Sequence, residues 1–275
     1  MNGKNILHQL KTCCGAQMMS YVLETEDDKI IVIDGGYTAD ADYLEQYVRY
    51  LTGGEFRVDG WILTHAHSDH IDAFTELARR HPGCPFLTGK VYYNFPPAAY
   101  IDQYENCELH TLLEFNEVLP AFADRAQIVH TGDRFAVGAM QAEVLWEPDT
   151  SITCNVINNS SIVVRITLGK KVLLILGDLG VEGGKAVLAH YGDALKADLV
   201  EMAHHGQNGV ERDFYEAVKP SVCLWCAPQW LWDNNAGGGY NTYIWKTIIV
   251  RGWMEEMGVK EHYVLKDGTA SISLD

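Results

Sequence analysis

Basic residues are scarce in this 275-residue chain: 21 Lys and Arg stand against 37 Asp and Glu, a formal net charge of −16 with histidine neutral. Such a balance repels phosphate polymers and anionic lipid at long range. It disfavours a general nucleic-acid coat, but does not exclude a site with its own local cation. Long apolar runs are also missing. The longest, near residues 171–176, falls far short of the roughly 20 residues a membrane span needs. Residues 1–10 mix Asn2, Lys4, Asn5, His8 and Gln9 with apolar residues, without an apolar h-region or a small-residue cleavage site. The expectation is a soluble, cytoplasmic chain with no membrane partner. Linkers, repeats and low-complexity tracts are absent too. With 47% hydrophobic and 21% charged residues, the chain reads as one globular domain over residues 1–275. Paired cysteines are lacking: the seven are Cys13, Cys14, Cys84, Cys107, Cys154, Cys223 and Cys226, an odd number that argues against a disulfide framework. Cys223-Leu224-Trp225-Cys226 has CxxC spacing, but it lies in an apolar run with no second CxxC. It reads as two buried structural thiols.

What is present is an alternation of strand-like and helix-like segments. Apolar runs at 6–10, 18–23, 30–33 and 58–63 predict strands, with Glu26-Asp27-Asp28 as a hairpin-like turn. Helical spacing covers 41–51, 71–80 and 107–122. In the second half, strands are predicted at 142–146, 162–168, 172–176, 198–202, 222–226, 263–265 and 270–274. Helices are predicted at 182–190, 212–218 and 243–257. Strand meanders followed by strand–helix alternation in each half suggest two sheets packed together with helices outside. The aromatic segment Trp225, Trp230, Trp232, Tyr240, Tyr243 and Trp245, interrupted by Gly237-Gly238-Gly239, reads as packing on the flank of that sandwich around a surface loop.

Eleven histidines remain to be placed, and their distribution is uneven. Thr64-His65-Ala66-His67-Ser68-Asp69-His70 directly follows the strand ending at Leu63 and leads into a helix. Imidazole and carboxylate suit zinc, iron or manganese. His65 and His67 are two apart, so an extended backbone puts both on one side. Asp69 and His70 turn with the chain and face a neighbouring point, which makes two adjacent half-sites.

HxHxDH at a strand-to-helix turn resembles the metallo-β-lactamase superfamily, whose fold is an α/β, four-layer αββα sandwich. Further landmarks follow in the family's order. Ile31-Val32-Ile33-Asp34-Gly35-Gly36 resembles the element whose buried Asp supports the metal loop. Leu174-Ile175-Leu176-Gly177-Asp178 resembles the strand ending in the metal-bridging carboxylate. Asp198 to Gly206 resembles the strand ending in the last ligand, at His204-His205. Asn158-Asn159-Ser160-Ser161 before a strand, with Gly-Asp and His-His-Gly, is most similar to the branch containing the competence DNA-uptake hydrolase domain and the phosphorylcholine esterases.

The resemblance implies a metal-dependent hydrolase that activates water between two divalent ions, zinc first, with manganese or iron as alternatives. It implies His65, His67, Asp69, His70, Asp178 and His205 as ligands. Asp69 would orient the nucleophile, and His204 would face the substrate as hydrogen-bond or proton donor. Asp34 and Asn158 would support the centre or face the substrate. Most binuclear members have one more histidine just before the strand at 162–168, where this chain has Val156-Ile157-Asn158-Asn159-Ser160-Ser161. The site on His65 and His67 is therefore expected to be one protein ligand short, completed by water or a side-chain amide. His110 and His130 read as ordinary helix and strand residues. The implied substrate is a small phosphodiester and not a long nucleic acid, because two divalent ions would bring the charge only from −16 to roughly −12, concentrated at the site. Ester, thioester or lactone hydrolysis on the same metals is the enzymatic alternative, and a non-catalytic metal-binding module is the other. The sequence specifies no oligomeric state.

Overall fold

The structure, a computed structural model, describes residues 4–275. Its strands form two seven-stranded sheets. The first runs, in spatial order, Ala270–Ser273, Ile6–Gln9, Ser20–Glu24, Ile30–Asp34, Val58–Ile62, Leu87–Tyr93 and Ala126–Ile128. The second runs Glu261–Val264, Val222–Trp225, Leu199–Glu201, Lys171–Ile175, Val163–Leu168, Met140–Trp146 and Arg134–Val137. Each sheet begins along the chain as an antiparallel meander and continues as parallel strands.

Side-chain alternation explains why four layers form. In Ile30–Asp34 every residue is buried. Ile31 and Ile33 enter the core between the sheets, whereas Ile30 and Val32 enter the core under the outer helices. Leu173 and Ile175 likewise face the other sheet, and Leu174 faces outward into a third core. Strands buried on both faces read as continuous apolar runs. The helix Ala41–Leu51 covers the first sheet with Ala41, Leu44 and Val48, at the spacing of one helical stripe. The architecture is the expected four-layer αββα sandwich.

Several boundaries differ from the sequence reading. The helix predicted from residue 71 begins at Ser68, so Asp69 and His70 lie in its first turn. The stretch predicted as one helix over 107–122 is an α-helix only at Leu109–Val118, with 3-10 turns on either side. Pro120 has no N–H to continue the helical ladder. The last long helix begins at Thr247. The residues before it form a loop in which Asn235 Oδ1 accepts from the N–H groups of Gly237 and Gly239 and Asn234 Nδ2 donates to Tyr243 O. The strand Leu87–Tyr93 has no counterpart in the sequence reading, because Gly89 and Lys90 interrupt its apolar pattern. The tryptophans of the aromatic segment pack as expected, Trp225 meeting Trp232 at 5.3 Å and Trp230 meeting Trp245 at 5.0 Å between ring centroids, whereas Tyr240 and Tyr243 are exposed.

Candidate metal centre

The centre forms where carboxyl ends of strands from both sheets meet. Ile33 is in register with Ile62 on the neighbouring parallel strand, which places Asp34 beside the turn that begins at Thr64. From the second sheet, Lys171–Ile175 leads into Gly177-Asp178 and Leu199–Glu201 leads into His204-His205. Gly177 has φ +54°, and a Cβ there would lie 3.0 Å from both Thr64 Oγ1 and Ser161 Oγ. A side chain would therefore push the two loops apart. Ser161 Oγ in turn accepts the Asp178 N–H at 3.0 Å.

The His pair is set by an unusual backbone. His204, His205 and Gly206 have φ of +53°, +56° and +80°, a run of left-handed residues that non-glycine side chains adopt only at a cost. The turn is held by His204 N–H donating to Gly177 O at 2.9 Å and Gln207 N–H donating to His204 O at 2.9 Å. At Gly206 a Cβ would collide with the Trp225 ring. This reversal buries His205 and leaves the His204 side chain 19% exposed on the cavity wall.

Two groups of candidate ligands result. His65, His67 and Asp178 form one, and Asp69, His70 and His205 the other, with ligand atoms within 4.8 Å of one another in each. Asp178 links them: its Oδ1 lies 3.1 Å from His70 Nε2, and its Oδ2 lies 3.4 Å from His205 Nε2 and 3.8 Å from His65 Nε2. His205, not His204, joins Asp69, at 3.1 Å. Residues 156–161 contribute no histidine, cysteine or carboxylate to either group. Asn158 Nδ2 donates to Asn155 Oδ1, and its own Oδ1 is buried without a hydrogen-bond partner; Asn158 is not among the residues that line the cavity. His130 pairs with Glu147 on the surface and His110 is exposed.

Asp34 organises the loop as the sequence suggests. Its carboxylate accepts from Thr64 N–H at 2.7 Å, Thr64 Oγ1 at 2.6 Å and His70 Nδ1 at 2.6 Å. With its proton on Nδ1, His70 turns an Nε2 lone pair toward Asp178. That Nε2, Asp178 Oδ1 and His205 Nε2 are all buried with no aligned hydrogen bond. Facing lone pairs and carboxylate oxygens at 3.1 Å need a proton or a cation between them, and the donor set is one that divalent first-row metals accept. The residues present therefore fit a pair of such ions. Without a cation, protons do the work. Burial lowers the His70 and His205 pKa values, but Asp178 and its neighbours overcome that and hold both well above the ordinary range. His65 is driven well below it, first by burial and then by the charge of His70.

Sequence reasoning missed three neighbours. Gln17 Nε2 donates to Asp69 Oδ2 at 3.0 Å, and Gln207 Nε2 donates to Gln17 Oε1 at 3.3 Å. Glu201 is buried behind the centre and accepts the Leu176 N–H at 2.9 Å. Burial pushes its carboxyl up to about 8 from the ordinary 4.5, with the charge of Asp178 adding to the shift and the Leu176 N–H opposing it. The folded state thus keeps a proton that the unfolded chain releases. Stability from this group is complete below about pH 4.5 and is lost as pH rises toward 8. Glu201→Gln is expected to stabilise the metal-free protein at pH 8 by roughly 3–5 kcal/mol and to have little effect near pH 4.5. Denaturant titrations at the two pH values check this. An equal effect at both would show that the carboxyl is not held protonated.

An αββα sandwich with a His-x-His-x-Asp-His turn facing Gly-Asp and His-His-Gly loops defines a metallo-β-lactamase-fold protein. The chain belongs to the metallo-beta-lactamase superfamily, whose family profile matches residues 17–223. It is similar to ComE operon protein 3 of Bacillus subtilis (strain 168), 27% identical over 184 residues that make up 64% of this chain and 21% of that protein. Among solved structures it is similar to Zn2+-bound PqqB from Methylobacterium extorquens, with a TM-score of 0.57 at 12% identity, covering 98% of this chain and 100% of that one. The diiron β-hydroxylase CmlA from Streptomyces venezuelae gives a TM-score of 0.56 at 13% identity, covering 100% of this chain and 55% of that one. At these identities the structural likeness is one of fold. Family and residue groups together support a metal-dependent hydrolase. Among the described residues, no helix is long and apolar enough to cross a membrane.

Proposed function

We propose that this protein hydrolyses a small phosphodiester with two divalent ions, one held by His65, His67 and Asp178 and the other by Asp69, His70 and His205. The observation that carries the reading is the meeting of the two ligand groups at Asp178 on the wall of a cavity. When bound, such ions draw a nucleophile from water at neutral pH and offset charge on the scissile group. The donor chemistry suits zinc first, with manganese or iron as alternatives, and the similar folds of PqqB and CmlA are described with zinc and with two irons.

The protein side chains supply orientation. Gln17, braced by Gln207, fixes the Asp69 carboxylate. His204 stands at the cavity wall, its Nδ1 3.4 Å from Asn208 O and its Nε2 3.7 Å from Asp178 Oδ2. Burial lowers its pKa, so it meets substrate as a neutral hydrogen-bonding group at pH 7. The cavity is also lined by Tyr37, Ser68 and Glu108 and has no Lys or Arg. Its volume is about 180 Å³, below the roughly 300–1,000 Å³ of pockets that enclose drug-sized ligands. A compact phosphodiester suits that space and the net charge of −16 better than a polyanion does. The Asn158-to-Ser161, Gly177-Asp178 and His204-to-Gly206 pattern supports phosphoryl over acyl chemistry.

The test is an assay of metal-loaded protein on bis-p-nitrophenyl phosphate, p-nitrophenylphosphorylcholine, p-nitrophenyl acetate and a lactone. Turnover of the phosphodiesters is expected, abolished by a chelator and restored by Zn2+ or Mn2+. Turnover confined to the ester or lactone would overturn the substrate class. Metal binding without turnover of any substrate would point to a non-catalytic module.

A further inference from the structure

Residues 156–161, where a further histidine would have completed the site on His65 and His67, pack against both halves of the centre. Just past them, the Ile162 N–H donates at 2.9 Å to Thr64 O, the residue before His65 in the first sheet's loop. Ser161 Oγ accepts the Asp178 N–H of the second sheet's loop at 3.0 Å. Ser161 and Asp178 are both buried.

The strand register explains why a side chain is needed there. Ile175 lies opposite Val164 where Lys171–Ile175 pairs antiparallel with Val163–Leu168. The same register carried three positions further would set Asp178 opposite Ser161. The ladder ends before that point, and Gly177, with φ +54°, turns the chain out of the sheet. The Asp178 N–H is left as a buried donor just past a strand end, and a buried donor needs a partner. The Ser161 hydroxyl supplies it. Ser161 is itself braced by its N–H, which donates to Asn158 O at 3.0 Å.

We infer that Ser161 is a positioning residue: by taking the Asp178 N–H it fixes the backbone from which that carboxylate reaches both ligand groups. The inference rests on the reading of Asp178 as the residue shared by two ions. Asp178 Oδ1 is 3.1 Å from His70 Nε2 and Oδ2 is 3.8 Å from His65 Nε2, so a shift of its backbone moves both oxygens together. In this chain the segment orients a ligand instead of adding a histidine. The neighbouring Ser160 is also buried, but its hydroxyl donates to Val156 O at 2.6 Å, within its own turn.

The experiment measures Zn2+ stoichiometry and affinity by chelator competition in the full chain and three variants. Ser161→Ala is expected to weaken both Zn2+ equivalents about tenfold or more, as when a ligand's hydrogen-bond partner is lost. Ser161→Thr keeps the hydroxyl and is expected to bind both equivalents as the wild type does. Ser160→Ala removes a hydrogen bond from the same turn and is expected to leave both unchanged. Unaltered affinity in Ser161→Ala, a loss confined to one equivalent, an equal loss in Ser160→Ala, or no recovery in Ser161→Thr would overturn the inference while leaving the metal reading intact. A wild-type protein that binds no Zn2+ would overturn the metal reading and this inference with it.

Discussion

Asp178→Ala is expected to remove both metal equivalents and to lower hydrolysis by at least about a thousandfold, because ion binding and the nucleophile it supplies are lost together. Of the six candidate ligands, Asp178 is the one whose two oxygens face both groups, toward His70 on one side and toward His65 and His205 on the other. The metal-free protein provides an independent check. Burial opposes ionisation of Asp178, but the surrounding histidines, His205 first, pull its pKa well below the ordinary range. In return its charge helps hold His70 and His205 well above theirs. Without that charge, burial dominates, and both rings are expected to titrate at lower pH in the variant. Histidine titration by NMR and metal analysis measure the two effects separately. Two tightly bound metal equivalents in Asp178→Ala would refute the proposed centre.

Asp34→Ala is expected to cause a large loss of stability. Three buried donors converge on this carboxylate: the Thr64 N–H, the Thr64 hydroxyl and His70 Nδ1. Leaving buried donors unsatisfied costs about 1–3 kcal/mol each. Allowing for partial relaxation, a loss of roughly 3–5 kcal/mol is expected. The backbone adds to it, since Asp34 has φ +54°, a conformation that Asp and Asn tolerate better than Ala. Asp34→Asn should therefore be the milder change, because its amide oxygen still accepts from Thr64. Measured on metal-free protein by denaturant titration, the loss is free of any contribution from ligand binding. In the presence of metal, affinity at the His70 group is expected to fall about 10–100-fold, as when a ligand's hydrogen-bond partner is removed. A near-neutral Asp34→Ala would mean that the loop is held by other contacts.

The residues of the centre were legible because their chemistry and their local spacing coincide. His65 and His67 are two apart on extended chain, Asp69 and His70 start a helix, and Asp34 and Asp178 each end an apolar run. The strand pattern was equally legible wherever both faces of a strand are buried, as in Ile30–Asp34. It failed at Leu87–Tyr93, where Gly89 and Lys90 interrupt the apolar run.

By itself, then, the sequence indicated two packed sheets with helices outside, through short-range periodicity, and a His and Asp cluster by its chemistry. The resemblance to the metallo-β-lactamase superfamily implied the four-layer sandwich, the order of the landmarks and the candidate ligands. Only the tertiary structure decided which side chains share a group and what stands behind them. His204 and His205 are chemically identical neighbours, and the left-handed turn locked to Gly177 and Trp225 is what buries one and leaves the other at the cavity. Gln17, Gln207 and Glu201 carry no motif. They reach the centre because the whole chain closes around it: Gln17 meets Asp69 across 52 positions of sequence, and Gln207, from the second sheet's half, meets Gln17 across 190. Contacts of that range come from closing the whole chain around its cores, and no local pattern encodes them.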